Sequence, residues 1–532
     1  MGRRSVEPPV SGDADEAASG RIPWAQGGLV AALAAGAFAA RLWALTRSAE
    51  PCGTDGYYYV VQVEQWVRTG ALKVPDGSWV LRLCAVVAGA VGDPVLGTKV
   101  TGALLAALCV PAAWALGAGL ARTRAGAWAL AIWAAASPSL TTLAAEFPKN
   151  LGAAAPLLVV AAIAVRPSRG AVALGVGFVA VLLAATAHRT GAVLWLPIAL
   201  PAAMAAVRGP RRLVAGNDQA RPPGAPRGSG AWFMVGVAGA LAAFAALSLA
   251  LPNLLHPADL PRVTEQFGWP GGVPAFVRRA RPAQIVELAV PWIALAAAAV
   301  AWWRERRAGW WRERRIALWT LGLPALACVV PAWRADALDL GYRLALLSPL
   351  FGVPLLAAAR VRGPQAPGHA DSPPFAAALR AAAAVAAVLG LLFAAPAGFD
   401  ASADPPYARY RRVAEAVPRP LPPLLIAHQG MSFLYTHLTG ADAMAWAPEP
   451  ELDRKQVGRV AWGIRPGEWM AWAREPAPVP LDPEYAYVRE DVWEVFVARA
   501  KVEGDDDLRE RLRDWRNPSK VRPASLLRNR GR

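Results

Sequence analysis

Apolar residues fall in long runs separated by short polar turns over most of the chain, the pattern of repeated membrane crossings. The runs predict spans over Gly27–Thr46, Pro94–Leu120, Ala125–Leu143, Asn150–Val165, Ala171–Thr186 and Gly191–Val207. Further spans are predicted over Ala231–Leu251, Ile285–Trp303, Ile316–Val330, Leu344–Ala359 and Phe375–Ala395. Several fall short of the ~17 residues a crossing helix ordinarily needs, so the expectation is about eleven spans with soft boundaries.

From Phe399 the apolar pattern gives way to that of a soluble segment. Leu424–His428 predicts a strand, Ser432–Leu438 a helix, Val457–Trp462 a strand and Glu484–Trp515 a largely helical stretch, with a basic tail from Arg516. The expected organisation is a cytoplasmic tail (residues 1–24), an all-α polytopic membrane domain (25–397) and a small extracytoplasmic α/β domain (398–532). No internal repeat is evident, which counts against inverted-repeat transporter folds.

Composition sharpens this picture. The 532 residues are 55% hydrophobic and only 18% charged, against about 25% charged in soluble domains. The 23 Trp residues suit a protein with two membrane interfaces. A net charge of +17 would point to nucleic acid in a soluble protein, but no recognition motif accompanies it. The charge is better explained by topology. Arg122 and Arg124, Arg166 and Arg169, Arg208, Arg211 and Arg212, the run from Arg304 to Arg315, and Arg360 and Arg362 all fall on alternate loops. Short-loop cations mark the cytoplasmic side. The N-terminal tail is then cytoplasmic, the protein sits in the inner (plasma) membrane, and the long mixed-charge tail argues against a cleavable leader. Asn217–Gly230, rich in Pro, Gly and Arg, predicts a cytoplasmic linker.

With sides assigned, the outer face collects the polar residues of interest. Asp55 begins the first outer loop and is followed by Tyr57, Tyr58 and Tyr59 and an amphipathic stretch suited to the interface. Its carboxylate fits either a base for an attacking hydroxyl or a solvated loop acid beside an aromatic belt. Glu146 and Lys149 occupy a tight second turn, where Lys149 either serves an anionic ligand or pairs with Glu146. His188 and Arg189 sit in the third turn, as a phosphate-holding pair or as a polar hairpin tip. Lys99, Tyr342 and Arg343 lie at outer span ends, and Pro252–Gln284 is a long outer loop holding His256, Asp259, Glu265, Arg278, Arg279 and Arg281. Cys52 and Cys84 share the first outer loop and are either disulfide-bonded or free, whereas Cys109 and Cys328 fall inside spans. No His/Cys spacing matches zinc, no phosphate loop is present, and the scattered acids call for no cofactor while leaving a divalent metal open.

Three features carry a family resemblance: Asp55 with Tyr57–Tyr59; Ser137-Pro138 leading to Glu146-Phe147-Pro148-Lys149; and Gly341-Tyr342-Arg343-Leu344 running to Ser348-Pro349. With these, the chain resembles the glycosyltransferases of the C-type superfamily, particularly bacterial relatives of protein O-mannosyltransferases and lipid A aminoarabinose transferases. The resemblance implies inverting transfer from a polyprenyl-phosphate-linked sugar to an extracytoplasmic acceptor, whether lipid, glycan or protein. Asp55 would be the base, with Lys149, Arg343 and His188 or Arg189 as phosphate ligands and Glu146 as a second acid. Tyr57, Tyr58, Lys99 and Tyr342 complete the expected substrate-binding set. Many relatives carry paired acids in the first loop, whereas Gly56 follows Asp55 here. Membrane lipids are the other expected partner. The competing classes are a lipid or polysaccharide transporter, which would bury charges mid-span or break its helices, and a membrane scaffold whose C-terminal domain uses His428 and His437 to bind a partner.

Overall fold

In the computed structural model the described residues are 24–121 (without Thr54 and Pro75), 124–165, 171–207, 282–305, 312–330 and 340–360. They also include Gly239, Ala242, Ala243, Ala246, Tyr407, Arg411, 424–440, 442–446, 479–482, 485–489 and 494–498. The expected spans Ala231–Leu251 (apart from those four positions) and Phe375–Ala395 lie outside them. So do the linker at Asn217–Gly230, the loop from Pro252 to Arg281, Arg334, Asp336, the Val457–Trp462 strand and the basic tail.

The described residues are mostly helical. Among them four helices are long and apolar enough to cross a membrane: α1 (Trp24–Thr46), α4 (Pro94–Ala121), α7 (Pro148–Val165) and α10 (Pro282–Glu305). Two bent pairs raise the number to six if each counts as one span. They are α5 (Arg124–Ala136) with α6 (Pro138–Glu146), bent by 42°, and α12 (Leu340–Leu347) with α13 (Pro349–Arg360), bent by 40°. The remaining helices of this region are α2 (Gly56–Thr69), α3 (Trp79–Val91), α8 (Ala171–Ala187), α9 (Arg189–Val207) and α11 (Arg312–Val329).

Both bends follow from a Ser-Pro step. Pro138 has no N–H to continue the α5 ladder and forces Ser137 out of the helical region, to φ −57° and ψ 117°. Ser137 then caps the new helix, its Oγ accepting from Leu140 N at 3.1 Å. Ser348-Pro349 divides α12 from α13, but here the serine turns back, its Oγ donating to Ala345 O at 2.7 Å.

Packing centres on α4, which touches α1, α3, α5, α6 and α7. It buries small residues such as Ala103, Ala106, Cys109 and Ala113, met by Ala131, Ala134, Ala153 and Ala154 from α5 and α7. Small side chains let helix backbones approach closely, which is how apolar helices gain attraction in lipid. At Gly102 a Cβ would collide with the Ala144 carbonyl oxygen. By contrast α8 exposes Val172, Val176 and Val179, and α9 exposes Val193, Leu196 and Leu200. Large apolar residues turned outward around a core of small ones suit a protein surrounded by lipid.

One expectation needs correction here, and one open alternative is resolved. The first outer loop contains α3, an apolar helix whose Val80, Leu81, Cys84 and Ala85 are buried against the bundle. The segment after the amphipathic α2 therefore returns into the protein. The Cys52–Cys84 bridge does not form: all four cysteines are buried and none is in a disulfide.

Beyond the membrane region, β1 (Leu424–His428), α14 (Gln429–Thr439) and β2 (Asp442–Trp446) make a parallel crossover unit. With β3 (Val479–Asp482), β4 (Tyr485–Arg489) and β5 (Glu494–Ala498) they form a five-stranded sheet in the order β2-β1-β5-β4-β3. The expected helix over Glu484–Trp515 is thus overturned at its start, where β4 and β5 pair antiparallel. Tyr-Ala-Tyr-Val and Val-Phe-Val are aromatic and β-branched runs, which favour a pleated ladder over a helix. The part of that stretch beyond Ala498 lies outside the described residues.

Candidate functional site

One end of the bundle gathers side chains from four separate places in the chain. The loop between α1 and α2 crosses directly over Glu146 at Gly53. This residue sits at φ +72°, and a Cβ there would lie 2.5 Å from Glu146 Cγ. Only glycine meets both demands. Two residues later Asp55 occupies the N-cap of α2, yet its side chain makes no capping bond. Instead Oδ2 accepts from Nη2 of Arg343 on α12 at 2.8 Å, across 288 positions of sequence. An N-cap aspartate ordinarily serves its own helix, so this carboxylate has been diverted to a distant cation.

Arg343 stands over the Phe147 ring, its Cζ 4.4 Å from the centroid, and Tyr342 packs edge-on to the same ring. Phe147 is the residue between α6 and α7, so Pro148 fixes both the aromatic platform and the adjacent Lys149. Lys149 Nζ donates to Asp76 Oδ2 at 2.8 Å and stands 5.2 Å over the Tyr58 ring. Asp76 is the principal site residue that sequence reasoning missed. It reaches Lys149 because Gln62 of α2 bonds both backbone groups of Val74, its Oε1 accepting from the amide at 2.8 Å and its Nε2 donating to the carbonyl at 2.9 Å. Asp-Gly-Ser before an apolar helix was the available signal: Asp76 Oδ1 accepts from Ser78 N at 2.8 Å at the start of α3.

The two ion pairs share one electrostatic neighbourhood, since Lys149 also feels the Asp55 carboxylate. Burial opposes ionisation of Asp76. The Lys149 ammonium, with hydrogen bonds from Lys149, the Ser78 amide and Tyr58, outweighs it and holds the carboxyl below its ordinary range. Burial, reinforced by Asp55, pushes the Tyr59 phenol well above its ordinary value, so it stays neutral.

His188 joins the same group. Its Nδ1 accepts from the Thr190 amide at 3.2 Å and lies 3.0 Å from Thr190 Oγ1, which Asn150 Nδ2 also reaches at 3.0 Å. Burial, then the charges of Lys149, Arg343 and Arg189, hold the imidazole well below its usual range. It is therefore a neutral hydrogen-bonding group here, not a cation. The unfolded chain takes up this proton below about pH 6.5 and the folded site does not, so stability falls as pH drops below that value. His188→Asn is expected to flatten the fall in thermal-inactivation temperature between about pH 7 and pH 5. An unchanged slope would assign the pH dependence elsewhere.

Lys99 and Tyr57 are placed differently. Lys99 Nζ donates to Ser48 O at 2.6 Å, tying α4 to the end of α1. Tyr57 donates to Glu50, which accepts from Arg411 at 2.8 Å, and packs on Tyr407, whose hydroxyl donates to Gly53 O at 2.5 Å. From α14, His437 approaches Glu64 at 2.8 Å and Phe433 packs against Tyr58. The C-terminal segments therefore pack against α2, and Phe433 reaches the same Tyr58 ring over which Lys149 stands.

A second polar group lies deeper, at the α5–α6 break. Glu287 of α10 accepts from Trp133 Nε1 (2.8 Å), Ser137 Oγ (2.6 Å) and Ser139 N (2.8 Å). Opposite it, Arg41 of α1 donates to Ala134 O at 2.8 Å and Thr141 Oγ1 at 3.2 Å. Both charges are buried. Among the described residues no three His, Cys, Asp or Glu side chains gather as a metal group would require.

No protein-family model matches the chain, and no curated protein matches it at a significant level.

Proposed function

We propose that the protein is an inner-membrane glycosyltransferase of the C-type kind, crossing the bilayer about eleven times, with the Asp55–Arg343 end facing outward. The donor is a sugar on polyprenyl phosphate, and the acceptor hydroxyl arrives from the extracytoplasmic side. The observation that carries this reading is the diverted N-cap: Asp55 turns away from α2 onto Arg343, beside Lys149. A carboxylate and two cations at the end of apolar helices meet the needs of a lipid-linked sugar phosphate. Asp55 takes the proton of the acceptor hydroxyl, whose oxygen bonds to the anomeric carbon from the face opposite the phosphate. The bond from that carbon to the phosphate oxygen breaks with its electron pair, inverting the centre. Arg343 and Lys149 stabilise the charge left on the polyprenyl phosphate. Tyr58, half-buried where Tyr57 and Tyr59 are buried, is the ring offered to the sugar.

The test is transfer from labelled polyprenyl-phosphate sugars in membranes carrying the protein. Asp55→Asn should lower turnover about a hundredfold, the worth of a general base. Full activity in the variant would remove Asp55 from that role, and no transfer by the parent from any donor would remove the enzyme reading.

One observation favours a transporter: buried Arg41 and Glu287 flank a broken helix, as in proteins that move solutes past half-helices. The enzyme reading is preferred because Glu287 is fully engaged in holding Trp133 and the start of α6. Movement of a fluorescent lipid-linked sugar across proteoliposomes, unaffected by Asp55→Asn, would reverse that preference.

A further inference from the structure

The two ion pairs at the site are built differently. Asp76 is held from several sides, by Lys149, the Ser78 amide and the Tyr58 hydroxyl at 3.1 Å. Its loop is fastened to α2 by both polar atoms of Gln62. Nothing about that pair invites exchange.

The Asp55–Arg343 pair is half made. A guanidinium presents Nε–H and one Nη2 hydrogen as a parallel fork, matched to two oxygens of a carboxylate or phosphate. Asp55 takes only the Nη2 prong, through Oδ2. The Nε prong is buried and has no hydrogen-bond partner among the described residues. A buried donor left unmet carries a desolvation penalty, which a ligand bridging both prongs would remove. Phe147 holds the guanidinium plane in place beneath, so the fork is already oriented. One oxygen of Asp55, Oδ2, is meanwhile occupied by Nη2.

Resting on the glycosyltransferase reading, we infer that the Asp55–Arg343 ion pair is a donor-operated latch: the donor phosphate takes both prongs of Arg343, displaces Asp55, and so frees the carboxylate to act as base. Before the donor arrives the base is masked. A hydroxyl or water reaching the site early meets a carboxylate committed to Arg343, and the site becomes competent only once the group to be transferred is bound. Phosphate and carboxylate compete for the Nη2 prong of Arg343, so donor binding does work against the existing pair.

That competition gives an expectation opposite in sign to ordinary loss of a site residue. In the full-length protein in nanodiscs, with a sugar-free polyprenyl phosphate as probe, Asp55→Asn should bind about fivefold more tightly than the parent, because no carboxylate must be displaced. Asp55→Ser should show the same gain while supplying a competent N-cap for α2, which guards against a folding defect. Arg343→Gln should weaken binding, and Asp55→Asn added to Arg343→Gln should bring no gain. Equal or weaker binding in both Asp55 variants would overturn the latch and leave the enzyme reading standing. A gain that persists without Arg343 would also overturn it, showing only that a nearby negative charge repels phosphate. No binding by the parent or by any variant would sink the donor assignment, and the latch with it.

Discussion

Glu287→Ala is expected to destabilise the membrane domain by about 3–5 kcal/mol, a larger loss of stability than any other single substitution at the site or its supports should cause. Three donors converge on that carboxylate: Trp133 Nε1, Ser137 Oγ and the Ser139 amide. The amide belongs to the first turn of α6, where backbone N–H groups have no helical partner. Pro138 opens that end of the helix, and Glu287 closes it. Removing the carboxylate strands all three donors in an apolar surrounding and leaves Arg41 buried without the negative charge it faces. Glu287→Gln keeps one carbonyl for Trp133 and Ser137 but turns an amide toward the Ser139 N–H, so an intermediate loss is expected. Recovery of monodisperse protein after heating in detergent reads both. Parent-like heat resistance in Glu287→Ala would show that the break is held by packing alone. The consequence reaches the site, because α6 ends at Glu146 and its orientation sets where Phe147 and Lys149 stand. A shifted break should therefore lower transfer in protein that still purifies folded.

How much of this was legible in the sequence depends on the range of the forces involved. Long apolar runs at α1, α4 and α7 declare themselves, since length and hydropathy decide them locally. The Ser-Pro steps at 137–138 and 348–349 were visible too, but a run read for hydropathy alone passes through them as a single span. The helix α3 was missed because its 13 residues, interrupted by Arg82, fall below the length a crossing needs. It is stabilised by neighbours instead, its Ser78 Oγ donating to Ala187 O at 2.7 Å. In the C-terminal region the charges around Tyr485–Arg489 and Glu494–Ala498 resemble a helical surface. Only the interleaved aromatic and β-branched residues betray the ladder.

The site shows the same division. Asp55, Lys149, His188 and Arg343 stood out as polar residues at the ends of apolar runs, and the fold brings them together. Which carboxylate meets which cation was not readable, because the partners lie 288 and 73 positions apart. Lys149 could be expected beside Glu146 from proximity in sequence. The fold gives it Asp76, through a loop whose course depends on one glutamine. Lys99 also stood at a span end, yet it spends its ammonium on the Ser48 carbonyl in the loop after α1. Position at a span end thus selects candidates, and tertiary contacts sort ligands from anchors.

The last prediction separates those two roles at Lys149. Lys149→Met keeps the length and apolar stem of the side chain and removes its charge, and transfer should fall about a thousandfold if the ammonium stabilises the departing phosphate. The same change strips Asp76 of its counter-ion, so loss of activity alone would not distinguish a ligand from a structural partner. The pH dependence does. In the parent, Asp76 has a depressed carboxyl and contributes stability above its unfolded value of about 4, lost only as pH falls through the lower folded value. Without Lys149 the largest influence on Asp76 is burial, which acts in the other direction. The folded carboxyl then rises above its unfolded value, and the variant should be most stable in acid and lose stability as pH climbs toward neutrality. Thermal inactivation across about pH 4 to pH 8 should therefore show stability falling toward neutral pH in Lys149→Met and no such fall in the parent. Adding Asp76→Asn removes the stranded charge and should restore neutral-pH stability while transfer stays low. Recovery of transfer along with stability would make Lys149 a fastener for the Asp76 loop, leaving Arg343 as the cation that meets the phosphate.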